Sequence, residues 1–133
     1  MEILLKAIRG GIAAIAGTVI YWLGGLDSLL TALIIVIVLD YFTGILKGIH
    51  NKCLSSEIGF KGITKKVMSL TIVALAFVIE NLTSSAFPLR EIVIIFFIAS
   101  EGISILENAG QIGVPFPPKL KKILIQLIGK DEE

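Results

Sequence analysis

The sequence predicts an all-α, polytopic integral membrane protein with four transmembrane helices, a short C-terminal amphipathic interfacial helix and both termini in the cytoplasm. Three observations predict this fold. Of the 133 residues, 55% are hydrophobic and only 17% are charged, whereas soluble domains carry about 45–50% apolar and about 25% charged residues. Long apolar runs alternate with short polar segments, and lysines concentrate in a few of those segments. A chain of this length forms one domain, so we expect a single membrane domain over residues 1–133.

The first predicted span covers about residues 10–26, an uncharged run that follows a short basic segment. A helix over this run measures about 25 Å at 1.5 Å per residue, and a few preceding residues extend it to the bilayer core of about 30 Å. Gly10, Ala14 and Gly17 fall on one face, which favours close packing between helices. The alternative is that small residues are simply common in membrane helices.

The second predicted span covers about residues 28–46, with Asp27 or Ser28 able to cap its start. Near its far end, positions i, i+3, i+4 and i+7 of one helical face hold Asp40, Thr43, Gly44 and Lys47. A carboxylate within a span costs about 2.5–3.5 kcal/mol at the bilayer centre and normally faces protein or water. Two interpretations stay open. Asp40 belongs to a functional polar face, or it is solvated near the interface or paired with Lys47.

Residues 47–66 are predicted to form a basic loop on the cytoplasmic side. The segment has one acid, Glu57, and five lysines: Lys47, Lys52, Lys61, Lys65 and Lys66. Short basic loops are retained in the cytoplasm, so this loop orients the whole chain. With four spans, eleven of the twelve basic residues lie inside and Arg90 alone lies outside. An odd number of spans would separate the loop from one basic terminus, so the charge distribution favours four.

The third and fourth predicted spans cover about residues 67–82 and 89–112. The third carries Glu80 toward its outer end, and the fourth starts after Pro88, because proline suits a helix start. The second half of the fourth span has a polar stripe with one further acid beside it: Glu101, Ser104, Asn108 and Gln111, with Glu107. Such a stripe is poorly compatible with lipid, so we expect it to form an assembly or pore surface. The alternative is a helix that leaves the membrane near Ser104.

A short amphipathic helix is predicted over residues 118–130. Apolar residues recur at i, i+3, i+4, i+7 and i+8 from Leu120, and lysines lie off that face: Lys119, Lys121 and Lys122. This pattern is typical of a helix that lies on the surface of an anionic leaflet.

Several classes of function are not supported by the residues present. The single cysteine, Cys53, cannot form an intramolecular disulfide, and the single histidine, His50, cannot form a histidine-cluster metal site. The sequence has no glycine-rich phosphate loop, no HExxH and no GxSxG motif. The lysine segment lacks interleaved aromatic residues other than Phe60, which does not favour nucleic-acid binding. We therefore expect neither an enzyme nor a cofactor.

Two separated motifs lie along the chain. The first is Asp40-Tyr41-x-Thr43-Gly44 followed by Ser55-Ser56-x-x-Gly59-x-x-Gly62-x-x-x-Lys66. The second is Glu101-x-x-Ser104-x-x-Glu107-Asn108 followed by Gly113-x-Pro115-x-Pro117. In this order the two motifs resemble those of the toxin-secretion/phage-lysis holin family, and the resemblance runs from Leu29 to Leu120. The first span is similar only in hydrophobicity.

The resemblance implies a holin, which oligomerises in the bacterial cytoplasmic membrane and opens lesions that release an endolysin or a large protein toxin. It implies three partners: the lipid bilayer, further copies of the chain and an antiholin. Polar faces too costly for lipid are then expected to be hidden between protomers and later to line water. Three alternatives remain: an antiholin-type regulator, a small ion or proton transporter using Asp40, Glu80 and Glu101, and a membrane anchor for a cytoplasmic partner.

Overall fold

A computed structural model of the chain describes residues 1–84 and 86–129, and all of its regular structure is helical. The five helices are α1 Glu2–Trp22, α2 Ser28–His50, α3 Ser56–Thr83, α4 Leu89–Ile112 and α5 Pro118–Leu127. The prediction of an all-α fold is confirmed. Three helices, α1 to α3, are long and apolar enough to cross a membrane. A fourth crossing by α4 and the cytoplasmic position of both termini stay predictions.

The expected loop over residues 47–66 is wrong as a loop, because helix covers all of it except residues 51–55. Ser55 begins α3 by accepting a hydrogen bond at its Oγ from the Ile58 backbone N–H, at 3.1 Å. Glu57 lies in the first turn of this helix, where a negative charge complements the helix dipole. Lysine is also a good helix former. The charged segment therefore extends α3 by about three turns before its apolar run begins.

Helix α4 lies at the centre of the bundle and packs against α2, α3 and α5. The apolar core fills the end near the α1–α2 turn and consists of Leu23, Leu30, Leu33, Val73 and Ile94. Helix α1 has few contacts: within residues 1–84 and 86–129 it packs against α3 and against no other helix, and none of its residues is buried. A Cβ added at Gly10 or Gly17 would meet nothing within 4 Å. The close packing predicted for these glycines is not made within the described chain.

Helix α5 folds back along α4 after a turn that Gly113 makes in the left-handed region, at φ +99°. The Leu124 side chain then covers Gly102, where an added Cβ would lie 3.0 Å from the leucine Cδ1. The predicted start at Pro118 agrees with the structure, and the helix ends at Leu127. Lys130, the predicted end, lies outside the described residues. Contact of α5 with a lipid surface stays a prediction.

Arg90, at the start of α4, anchors that helix to the α1–α2 turn. The residue is only 6% exposed. Its Nε donates to the Leu23 carbonyl at 2.5 Å, its Nη2 to the Gly25 carbonyl at 3.0 Å and its Nη1 to Asp27 Oδ2 at 2.7 Å. Gly24 has φ +94°, and a Cβ there would collide with the arginine side chain. The turn therefore requires glycine both for its backbone conformation and for space.

Asp27 joins the same anchor to α2. Its Oδ1 accepts a hydrogen bond from the Leu30 backbone N–H at 2.9 Å, which confirms the predicted cap. The hydrogen bond from Arg90, helped by the one from Leu30, holds the pKa of Asp27 below its usual value. Asp27 is thus ionised at neutral pH and links the start of α2 to the start of α4.

We predict that Arg90→Leu lowers the free energy of unfolding by about 2–4 kcal/mol, because two carbonyls and a carboxylate lose a charged donor. The measurement is helix loss by circular dichroism in detergent micelles with rising denaturant. Glu91→Gln, at the exposed neighbouring position, is the matched control and should be neutral. Equal stability of the two variants would contradict the role of Arg90 as an anchor.

Candidate functional site

The polar faces of α2, α3 and α4 meet in one cleft of about 740 Å³. The cleft opens toward the ends of these helices that are predicted to lie on the cytoplasmic side. Each helix contributes residues spaced three or four apart, so a single face of each helix lines it. Among the lining residues are Asp40, Gly44, Lys47 and Gly48 from α2; Gly59, Gly62, Lys65 and Lys66 from α3; and Glu101, Ser104, Asn108 and Gln111 from α4. Residues of both sequence motifs thus face one another across the same space.

Lys66 forms the floor of the cleft between two carboxylates. Its Nζ lies 2.7 Å from Asp40 Oδ2 and 2.8 Å from Glu101 Oε2. All three side chains are 11–14% exposed, so the ion pairs are largely shielded from solvent. One lysine therefore joins α2, α3 and α4. Asp40 pairs with Lys66 and not with Lys47, so the suggested pair with Lys47 is wrong, while its place in a functional polar face stays a prediction.

Asn108 continues this polar contact along α4. Its Nδ2 donates to Thr43 Oγ1 at 2.9 Å and to Asp40 Oδ1 at 3.2 Å. Thr43 Oγ1 in turn donates to the Asp40 backbone carbonyl at 3.0 Å. Asn108 is 5% exposed, and no buried side-chain nitrogen or oxygen in residues 1–84 and 86–129 lacks a hydrogen-bond partner. We name Asp40, Lys66, Glu101, Asn108 and Thr43 the polar network.

Glycines on α2 and α3 give the cleft its width. A Cβ at Gly62 would meet nothing within 4 Å, and one at Gly44 would meet only Asn108 Nδ2, at 3.9 Å. A Cβ at Gly59 would approach the Tyr41 hydroxyl at 3.4 Å, and one at Gly48 would press on Leu54 at 3.1 Å. The space above the polar network therefore depends on the absence of side chains from two facing helices.

Other residues predicted for the site lie elsewhere. Glu80 is at the opposite end of α3, about 21 Å along the helix axis from Lys66 at 1.5 Å per residue. Glu107 is exposed on α4, and Lys52 lies in the α2–α3 connection at φ +55°. Outside the cleft lining lie Lys52, Ser56, Glu80, Glu107 and the three exposed α5 lysines, Lys119, Lys121 and Lys122.

Two functional contacts were not predicted from the sequence. Asp40 and Lys66 are 26 residues apart and Lys66 and Glu101 are 35 apart, so no local pattern joins them. A signal was nevertheless present, because the two acids and the lysine adjoin long apolar runs and each needs a partner. Tyr41 and Lys61 also line the cleft; the first belongs to the first motif and the second to the basic segment, but neither was predicted as a site residue.

The carboxylates at the floor of the cleft are held in ion pairs. The described ranges contain no group of three or more histidine, cysteine or acidic side chains that could hold a metal ion. Cys53 lines the cleft, yet it is exposed and free. The carboxylates that could serve as bases are instead held in ion pairs with Lys66.

We predict that Lys66→Met lowers the free energy of unfolding by about 3–5 kcal/mol, because it leaves two shielded carboxylates without a cation. Adding Glu101→Gln to this variant should restore part of the loss, since one of the two negative charges is removed. Lys65→Met, at the exposed adjacent position, is the control. Equal loss in the Lys65 and Lys66 variants, measured by denaturation in micelles, would be inconsistent with the ion pairs.

Comparison with known proteins agrees with the sequence motifs. The sequence model of the bacteriophage holin family matches residues 17–129. An uncharacterized 14.9 kDa protein of Clostridium perfringens is 42% identical over 98% of this chain and 99% of its own length. An uncharacterized protein of Listeria monocytogenes is 40% identical over 100% of this chain and 95% of its own.

A more distant relative carries a functional name. A protein of Bacillus phage phi105 named as a probable holin is 32% identical, over 72% of this chain and 71% of its own length. No solved structure matches the chain significantly. The match to the family model extends from the end of α1 through α5 and so contains the whole cleft. The chain belongs to the bacteriophage holin family, a family of membrane pore-forming proteins that are not enzymes.

Proposed function

We propose that this protein is a holin that spans the bacterial cytoplasmic membrane four times, with both termini inside. In this proposal it oligomerises and opens lesions through which an endolysin or a large protein toxin leaves the cell. Family membership supports the proposal. The single observation that carries it is the cleft, where three helices of an otherwise lipid-compatible bundle each contribute one polar face.

The polar faces lie within one chain, whereas the sequence suggested that they would be hidden between protomers. The step that exposes them to water is therefore a separation of helices inside each protomer. Moving α3 away from α2 and α4 would break the two ion pairs of Lys66. It would also uncover Asp40, Glu101 and Asn108, whose polar groups can be satisfied by water instead.

Several copies must contribute to one lesion. The cleft of about 740 Å³ corresponds to a sphere of about 6 Å radius, whereas a folded domain of about 100 residues has a radius of gyration of about 13 Å. A single opened bundle therefore cannot pass a folded enzyme. A ring of bundles, each presenting its polar faces inward, can surround a wider aqueous space.

The transporter alternative is less well supported by the placement of its three acids. Asp40 and Glu101 share Lys66 near the middle of α2 and α4, but Glu80 lies near the C-terminal end of α3. Between them are four side chains that are fully buried and apolar: Leu30, Leu33, Val73 and Ile94. A proton relay needs a continuous chain of polar groups or water, and this apolar core interrupts it.

We predict that Glu101→Gln and Asn108→Leu change the time of lysis or abolish it after induced expression in bacteria. Both substitutions alter the polar network, so the balance between closed and opened bundles should shift. Glu107→Gln is the matched control, because this acid lies on α4 outside the cleft. Turbidity and a membrane-potential dye give the readout. Wild-type timing in both network variants, at equal amounts in the membrane, would refute the role of the polar faces.

We predict that Cys53 reports the topology and the opening. The thiol is exposed in the α2–α3 connection, which the proposed topology places in the cytoplasm. A membrane-impermeant maleimide should therefore not label it in intact cells, whereas a permeant maleimide should. After lysis is triggered, the impermeant reagent should enter and label it. Maleimides on polymers of increasing size would then measure the opening. Labelling by the impermeant reagent before triggering would place this connection outside and overturn the proposed topology.

A further inference from the structure

The rim of the cleft carries more positive charge than its floor can neutralise. Four lysines and two carboxylates line it, an excess of two positive charges. Both carboxylates are occupied by Lys66, and Lys61 lies 3.7 Å from Glu57 on the exposed side of α3. Lys47 and Lys65 form no ion pair within the part of the chain that the structure describes. The cleft therefore attracts an anion.

The cleft also has an apolar edge that a small inorganic anion would not need. Leu54 and Ile58 line it and are 59% and 63% exposed. On the outside of α2, the apolar surface continues past the level of the cleft through Phe42, Leu46 and Ile49, which are 40–58% exposed. A polar, positively charged cavity thus adjoins a surface suited to lipid chains. A ligand that fits both has an anionic head and an apolar tail.

The space available suits a headgroup of this kind. Ligand sites commonly measure about 300–1,000 Å³, and the cleft measures about 740 Å³. Gly44 on α2 and Gly62 on α3 leave space in the cleft, since no side chain projects into it from either position. Basic pockets between membrane helices on the cytoplasmic side are an established means of holding phospholipid headgroups.

We propose that this cleft binds the headgroup of an anionic phospholipid. Lys47 and Lys65 contact the phosphate from opposite walls, the headgroup occupies the space left by Gly44 and Gly62, and the acyl chains pass over Leu54 and Ile58 into the bilayer. The proposal rests on the membrane placement of the protein and not on the opening of lesions. A bound lipid would hold α2 and α3 at their present separation, above the intact polar network.

The test is lipid binding by the full-length protein in neutral detergent micelles, measured by native mass spectrometry with dioleoylphosphatidylglycerol and dioleoylphosphatidylcholine. The wild type should prefer phosphatidylglycerol. The double variant Lys47→Gln with Lys65→Gln should bind phosphatidylglycerol about 30-fold more weakly. This corresponds to a loss of about 1 kcal/mol for each lysine, because a tenfold change in affinity equals about 1.4 kcal/mol. Lys47→Arg with Lys65→Arg keeps both charges and should retain binding, which separates lost charge from lost folding.

Two further sets of variants test whether the lipid binds in the cleft and whether binding needs the open volume there. Lys6→Gln with Arg9→Gln removes two exposed positive charges on α1, outside the cleft, and should leave the preference unchanged. Gly62→Leu fills the cleft without altering charge and should weaken lipid binding. The control is Gly110→Leu, because an added Cβ there also meets nothing within 4 Å but the residue does not line the cleft. This variant should bind the lipid like the wild type.

Four results would overturn the proposal. The first is equal binding of the two lipids by the wild type, and the second is an unchanged preference in the glutamine pair of the cleft. The third is loss of the preference in the α1 pair, Lys6→Gln with Arg9→Gln, which would indicate general surface attraction. The fourth is displacement of the lipid by millimolar inorganic phosphate, which would indicate a site for the free anion. None of these measurements involves a lesion, so failure here is distinguishable from failure of the proposed holin function.

Discussion

The ion pairs of Lys66 with Asp40 and Glu101 constrain the whole bundle. In a low-dielectric environment each of these charges is costly alone, and together they are tolerated only while all three remain in contact. Because the three residues come from three helices, the contact fixes α2, α3 and α4 relative to one another. Asn108 strengthens the constraint by bonding to Thr43 and Asp40. The residues least compatible with lipid are thus the ones that define the closed arrangement.

Arg90 makes a second constraint, at the start of α4. It lies about 16 Å from Glu101 along the helix axis at 1.5 Å per residue, and the apolar core fills the interval between them. Helix α4 therefore has a charged contact at its start, another near its middle, and apolar packing between the two. This arrangement explains why a helix that carries several charged residues can occupy the centre of the bundle, since its buried charges meet partners from the same chain.

The sequence predicted local features well and long-range contacts poorly. Apolar periodicity and capping residues correctly predicted the bounds of α4, the Asp27 cap of α2 and the start of α5 at Pro118. The first turns of α3 were mistaken for a loop, because hydropathy alone does not distinguish an exposed charged helix from a connection. Many of the residues predicted for a functional surface line the cleft, but their mutual contacts were not predicted. Pairing across 26 and 35 residues depends on packing that no local spacing encodes.

The isolation of α1 has a consequence for how the sequence can change over time. No residue of this helix is buried, so substitutions among apolar residues there disturb neither the core nor the polar network. The packing of α1 thus depends on its length and apolar character, whereas α2, α3 and α4 depend on particular side chains that contact one another. The match to the family model begins only at residue 17, near the end of α1. Substitutions in the N-terminal helix are therefore expected to disturb the packing of the bundle less than substitutions in α2, α3 or α4.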